Sequence, residues 1–133
     1  MLTSSAVLRL ARGCAVAAVG ARAAGNVARV RVAVPAWSEE DNSIVAGLFV
    51  GGEPEPRVLA SQKLGARQAA AATVALEIVA GDTQPIEFSV RVGPGETGIV
   101  YLNSDKVSAI PDLSKPTLTI EEYASFWRRS STR

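Results

Sequence analysis

The chain has 133 residues, 47% of them hydrophobic and 20% charged, which suits one domain with a core of its own and is too short for two. A net charge of +1 speaks against a nucleic-acid partner, because neutralising a phosphate backbone takes a surplus of Lys and Arg. A single cysteine, Cys14, and no histidine leave no internal disulfide, no zinc site and no Ser-His or Cys-His nucleophile, so neither a cofactor nor a catalytic residue is expected.

Residues 1–26 read in two ways. Arg9, Arg12 and Arg22 stand among alanines and serines with no acidic residue, the composition of a mitochondrial presequence. The same stretch also reads as structure: Val7-Leu8-Arg9-Leu10 as a first strand, Ala15 to Gly25 crossing the domain, and Gly25-Asn26 turning into the next strand. Its apolar stretch, Cys14 to Gly20, is too short and too interrupted by arginine to span a membrane.

A domain is expected over 27–123. Val30, Val32 and Val34 alternate with Arg29 and Arg31, which predicts a strand with one wet face, ended by Pro35 for want of an amide donor. A polar loop, Trp37 to Ser43, leads to a second strand, Ile44 to Val50, expected beside the first and stopped by Gly51-Gly52. Two prolines in Glu53-Pro54-Glu55-Pro56 demand an exposed connection. Gln68-Ala69-Ala70-Ala71-Ala72 has the propensity of a short helix, and an edge strand suits it equally well.

The clearest alternation follows. Val74, Leu76 and Ile78 fall two apart, and after Gly81-Asp82 so do Ile86, Phe88, Val90 and Val92, with Glu87, Ser89 and Arg91 between them. These are expected to be half-buried antiparallel neighbours. Gly93-Pro94-Gly95 makes a turn, Ile99 to Leu102 a strand, Asn103-Ser104-Asp105 another turn, and Thr117 to Ile120 a last strand with Leu118 and Ile120 inward. The tail 124–133 carries Phe126 and Trp127, which with Tyr123 are spaced to dock on the sheet edge or on a partner, and the solvated arginines Arg128, Arg129 and Arg133. Seven to eight short strands without a long helix predict an all-β antiparallel sandwich or jelly roll.

From about Gly25 to Tyr123 the order of segments resembles the jelly roll shared by the C1q and tumour-necrosis-factor families and by phage head fibres and fibre tips. The resembling pieces are Gly25 to Val34, Ile44 to Gly52, Val74 to Asp82 closing on Gly-Asp, the strand with Phe88, and Leu118-Thr119-Ile120-Glu121-Glu122. The poorly marked first strand and the 5% aromatic content depart from that pattern. The resemblance implies a homotrimer built on apolar strand residues, with Phe88, Ile99, Tyr101 and Leu118 as interface candidates.

Three functions are weighed. The first is a non-enzymatic virion or particle-surface module, in a head fibre, spike or tail tip, that contacts neighbouring particle proteins or a host glycan. Trp37 is its candidate stacking contact, with the acidic run Glu39-Glu40-Asp41 beside it. That run lacks the ligand spacing of a calcium loop, so no metal is expected there. The second is an accessory subunit of a mitochondrial complex, imported through the N-terminal segment. An enzyme is the least favoured: glycosidase chemistry would need Glu77 and Glu87 to face each other across a cleft.

Overall fold

The computed structural model describes residues 2–8, 10, 13–102 and 116–123. They form nine strands and no helix: β1 Leu2–Val7, β2 Cys14–Val19, β3 Val27–Ser38, β4 Asn42–Val50, β5 Val58–Leu64, β6 Gln68–Val79, β7 Ile86–Pro94, β8 Val100–Tyr101 and β9 Thr117–Tyr123. One sheet runs β1-β9-β3-β6, with β8 beside the end of β3; the other runs β2-β7-β4-β5. All pairings are antiparallel. Except at β4–β5 and β8–β9, successive strands leave one sheet for the other, and the two pack face to face as a jelly roll.

The alternation read in the sequence builds the core. Val30, Val32, Val34 and Ala36 of β3 and Ala72 and Val74 of β6 meet Ile44, Ala46 and Leu48 of β4 and Phe88 and Val90 of β7, all buried, with Leu76 and Ile78 packed at the margin. Phe88, 1% exposed, is the bulkiest fully buried side chain among the described residues.

Several expectations need correction, and one open alternative is decided. Pro35 does not end β3, which continues to Ser38. Ala80 N–H donates to the Asn26 carbonyl, so even-numbered residues of β3 turn their backbone groups to β6 and odd-numbered ones to the opposite flank. On that flank β9 pairs as far as Ala33 and β8 begins at Trp37. The amide-less nitrogen of Pro35 faces the stretch between them and forfeits no ladder bond to a described strand. Next, of the two readings of Gln68–Ala72 the edge strand holds, because all five residues pair with Val34–Ser38, and ladder and packing override helix propensity. Finally, two pairs of supposed neighbours lie in opposite sheets: β3 and β4, whose acidic corner 39–41 carries the chain across, and β6 and β7.

The first strand lies earlier than the Val7–Leu10 expected, at Leu2–Val7, and pairs with β9 from Leu2↔Glu122 to Val7↔Thr117. Rather than a crossing segment, Cys14–Val19 is an edge strand on β7. The strand expected at 99–102 shortens to Val100–Tyr101. The turn at Asn103-Ser104-Asp105 and the tail residues Phe126, Trp127, Arg128, Arg129 and Arg133 lie outside the described residues.

Glu122 of β9 ties the β2–β3 turn to the first sheet: its Oε2 accepts from Asn26 Nδ2 at 2.8 Å and from the Arg22 N–H at 2.7 Å. These bonds, the Asn26 one foremost, hold its carboxyl below the usual carboxylate range. A depressed folded-state value contributes stability above the unfolded carboxylate value, about 4.3, and that contribution is lost as pH falls through the folded value. Urea unfolding between about pH 6 and about pH 3 is expected to show a smaller acid loss for Glu122→Gln than for the parent chain. Identical pH dependences would refute the linkage.

Candidate functional site

The corner between β3 and β4 is built by strands that leave their sheets. Ser38 and Asn42, both buried, end β3 and begin β4 with Glu39, Glu40 and Asp41 bowed outward between them. Asn42 fastens the loop that follows β7: its Oδ1 accepts from the Glu96 N–H at 3.1 Å and from Ser43 N–H at 2.8 Å, and Nδ2 donates to the Glu96 carbonyl at 3.4 Å. Ser38 Oγ reaches the Ile99 carbonyl at 3.4 Å. The result is a cleft of about 270 Å³, with the acidic corner as one wall and Thr97, Gly98, Ile99 and Tyr101 as the other.

The β5–β6 turn props the acidic wall. Arg67 holds a left-handed backbone (φ 57°), which costs a non-glycine residue about 1 kcal/mol or more. Its N–H donates to the Ser38 carbonyl at 2.8 Å and its Nε to Glu39 Oε1 at 2.9 Å. Asp41 Oδ1 accepts from Ala66 N–H at 2.9 Å. Glu40 has no ion-pair or hydrogen-bond partner among the described residues, and it lines the cleft. Chemically the cleft offers hydrogen-bond acceptors opposite an aromatic ring and an exposed isoleucine.

The candidate residues fall into two groups. Phe88 and Leu118 point between the sheets and spend their surface on the core, leaving nothing for contact with another chain. Ile99, 70% exposed, and Tyr101, 37% exposed, stand at the surface. Trp37 lies in β3 rather than in a loop and is 9% exposed. Its ring leans on that of Tyr101, with centroids 5.8 Å apart and planes tilted by 55°, so Trp37 backs the ring that lines the cleft. Glu77 and Glu87 sit in different sheets and form no pair across a cleft. Among the described residues, no group of three or more His, Cys, Asp or Glu side chains is placed to hold a metal ion. No described helix is long and apolar enough to cross a membrane.

A second feature adjoins the cleft. On the outward face of the first sheet the registers Pro35↔Ala71, Trp37↔Ala69 and Trp37↔Tyr101 set small or flat apolar residues side by side; Pro35 and Trp37 are themselves buried, Ala69 and Ala71 half-buried. The other end of that face is charged, with Arg29 between Glu77 and Glu121 in register and Arg31 3.9 Å from Glu121. Strand β6 is thus apolar on both faces over Ala69–Ala72, as strands are when both faces are to be covered. The alanine run carried this signal in the sequence, where it also read as helix propensity.

No protein-family model and no curated protein matches the chain. Among solved structures it is similar to Eiger TNF from S. frugiperda (TM-score 0.47, 8% identity, 92% of this chain and 94% of that one). It is also similar to the tripod from the baseplate of bacteriophage Tuc2009 (TM-score 0.47, 13% identity, 92% and 64%). A weaker similarity is to the CBM22-2 xylan-binding domain of Paenibacillus barcinonensis Xyn10C (TM-score 0.34, 11% identity, 79% and 65%). These likenesses are of fold alone.

Proposed function

We propose that the protein is a non-enzymatic binding and structural module of a particle surface, such as a virion fibre, spike or tail tip, which assembles as a homotrimer and holds a glycan in the cleft beside Tyr101. One observation carries this reading: on the outward side of the first sheet the half-buried Ala69 and Ala71 and the exposed Tyr101 and Ile99 form an apolar half, with Pro35 and Trp37 already buried beside them, a surface suited to another chain. The cleft shares Tyr101 with that surface, so a ligand held by the acidic wall would sit at the rim of the contact. Carboxylates opposite an aromatic ring suit sugars, whose hydroxyls donate to the acceptors while a C–H face stacks on the ring.

Sedimentation at micromolar concentration is expected to give species in multiples of three chains of 13.9 kDa. Ala71→Glu, which sets a charge in the middle of the apolar half, is expected to abolish the threefold species and leave the fold intact. On a glycan array the parent chain is expected to bind and Tyr101→Ala to lose binding. A parent chain with no threefold species, or an Ala71→Glu chain that still forms them, overturns the assembly reading; an array without binding overturns the glycan reading.

A further inference from the structure

The four edges of the sandwich are not alike. Edge strand β1 carries Ser4 and Ser5; β5 carries Ser61, Gln62 and Lys63; β6 carries Gln68, Thr73 and Glu77. Charged and polar side chains on an edge are the usual protection against unwanted pairing. Strand β2, Cys-Ala-Val-Ala-Ala-Val, has no charge, amide, hydroxyl or proline. It pairs with β7 on one side and with no described strand on the other.

The direction of its free backbone groups follows from the ladder. Val92 N–H donates to the Gly13 carbonyl, so Gly13, and with it Ala15, Ala17 and Val19, turn their backbone groups to β7. On the far side of β7, Gly51 N–H donates to the Glu87 carbonyl, the same alternation read from β4. The N–H and C=O groups of Cys14, Val16 and Ala18 therefore point away from the sheet, along an edge where Val16 is also 63% exposed.

We propose that this edge pairs with β2 of a second copy of the chain, antiparallel about a two-fold axis at Val16, joining two four-stranded sheets into one of eight. The backbone groups define the partner as an extended strand. With the axis at Val16, Val16 opposes its own copy and Cys14 opposes Ala18, so the three outward-facing residues of each strand meet outward-facing residues of the other. Shifting the register by one residue sets outward-facing residues against inward-facing ones and loses those bonds. A strand that meets itself must also tolerate its own side chains opposite. Like charges there are unfavourable, and β2 has none, whereas Glu87 and Arg91 stand one strand further in. The pairing uses the sheet that does not carry the apolar face at Ala71, so it is independent of the threefold contact.

The test uses the full chain. Val16→Cys in a Cys14→Ser background places two thiols across the axis at a Cα separation of about 5.5 Å, within disulfide reach. Oxidation at micromolar concentration is expected to convert most of the chain to a covalent dimer, and Ser61→Cys in the same background to give little. Val16→Pro removes only an outward N–H and leaves the β7 ladder intact. In the Ala71→Glu background, sedimentation is expected to give two-chain species, falling twofold to single chains when Val16→Pro is added. Val16→Lys serves if the proline variant does not fold. A thiol at position 16 that stays free, or one that couples as readily to a thiol at position 61 as to its own copy, overturns the proposal, and so does a mass unmoved by Val16→Pro and Val16→Lys. Because crosslinking at position 16 is read without any threefold species, failure of this pairing and failure of the trimer give different results.

Discussion

A chain starting at Val27 is expected to show no cooperative unfolding transition. The cut removes β1 and β2, one edge from each sheet, and with β2 the cover that Ala15 and Val19 give to the core. Strands β9 and β7 would then be edges with whole ladders unpaired, six registers to β1 and six to β2. Each lost hydrogen bond removes about 1 kcal/mol net, and each buried valine or leucine about 2 kcal/mol. The sum, on the order of 10 kcal/mol, matches the whole stability of a typical domain. Urea titration followed by far-ultraviolet circular dichroism of the 27–133 chain beside the full chain makes the measurement. A truncated chain with a sharp transition at the same urea midpoint would show that the first 26 residues are dispensable. Import with removal of residues 1–26 requires that second outcome, whereas the particle-surface reading is compatible with the first.

The second large effect is at Phe88. It lies on the inner face of β7 opposite Ala17 and Val50, with its volume enclosed between the sheets. Phe88→Ala deletes a ring that the surrounding β-branched side chains are too stiff to replace, at a cost of about 3–5 kcal/mol. The expected fall in melting temperature is on the order of 10 °C for a domain of this size. Calorimetry decides it. A shift of only about 1 °C would mean that the core collapses onto the site or that the side chain is not enclosed as described. The interface role that the resemblance implies for Phe88 requires a different result, a changed oligomer mass with little change in monomer stability.

How far the sequence could be read is seen in where side-chain parity was enough. Val74, Leu76 and Ile78, and Phe88 with Val90, announce which face is buried, since a pleated strand has a period of two and nothing distant alters it. Pairing is another matter. Val30 lies between Leu76 and Ile120, partners far away in the chain that no local pattern names. For the same reason β6 and β7, separated by a short turn, read as neighbours although they belong to opposite sheets. Pro35 misled because its effect depends on which flank its nitrogen faces, a property of the ladder and not of the residue. Trp37 was visible as a site residue, but its role beneath Tyr101 follows from β8 pairing with the end of β3. Arg67 left no local trace, since it acts through the Ser38 carbonyl and Glu39, a corner almost thirty residues earlier.

The pairing of β1 with β9 and of β2 with β7 also sets an order in time. A ribosome releases residues 2–19 long before it has made residues 86–94 and 117–123, their hydrogen-bonding partners. Contacts closed over such spans put folding in the slow range of milliseconds to seconds. Until residues 86–94 have emerged, the uncharged strand at 14–19 therefore waits without its neighbour, and crowded nascent chains on one message would meet through it first.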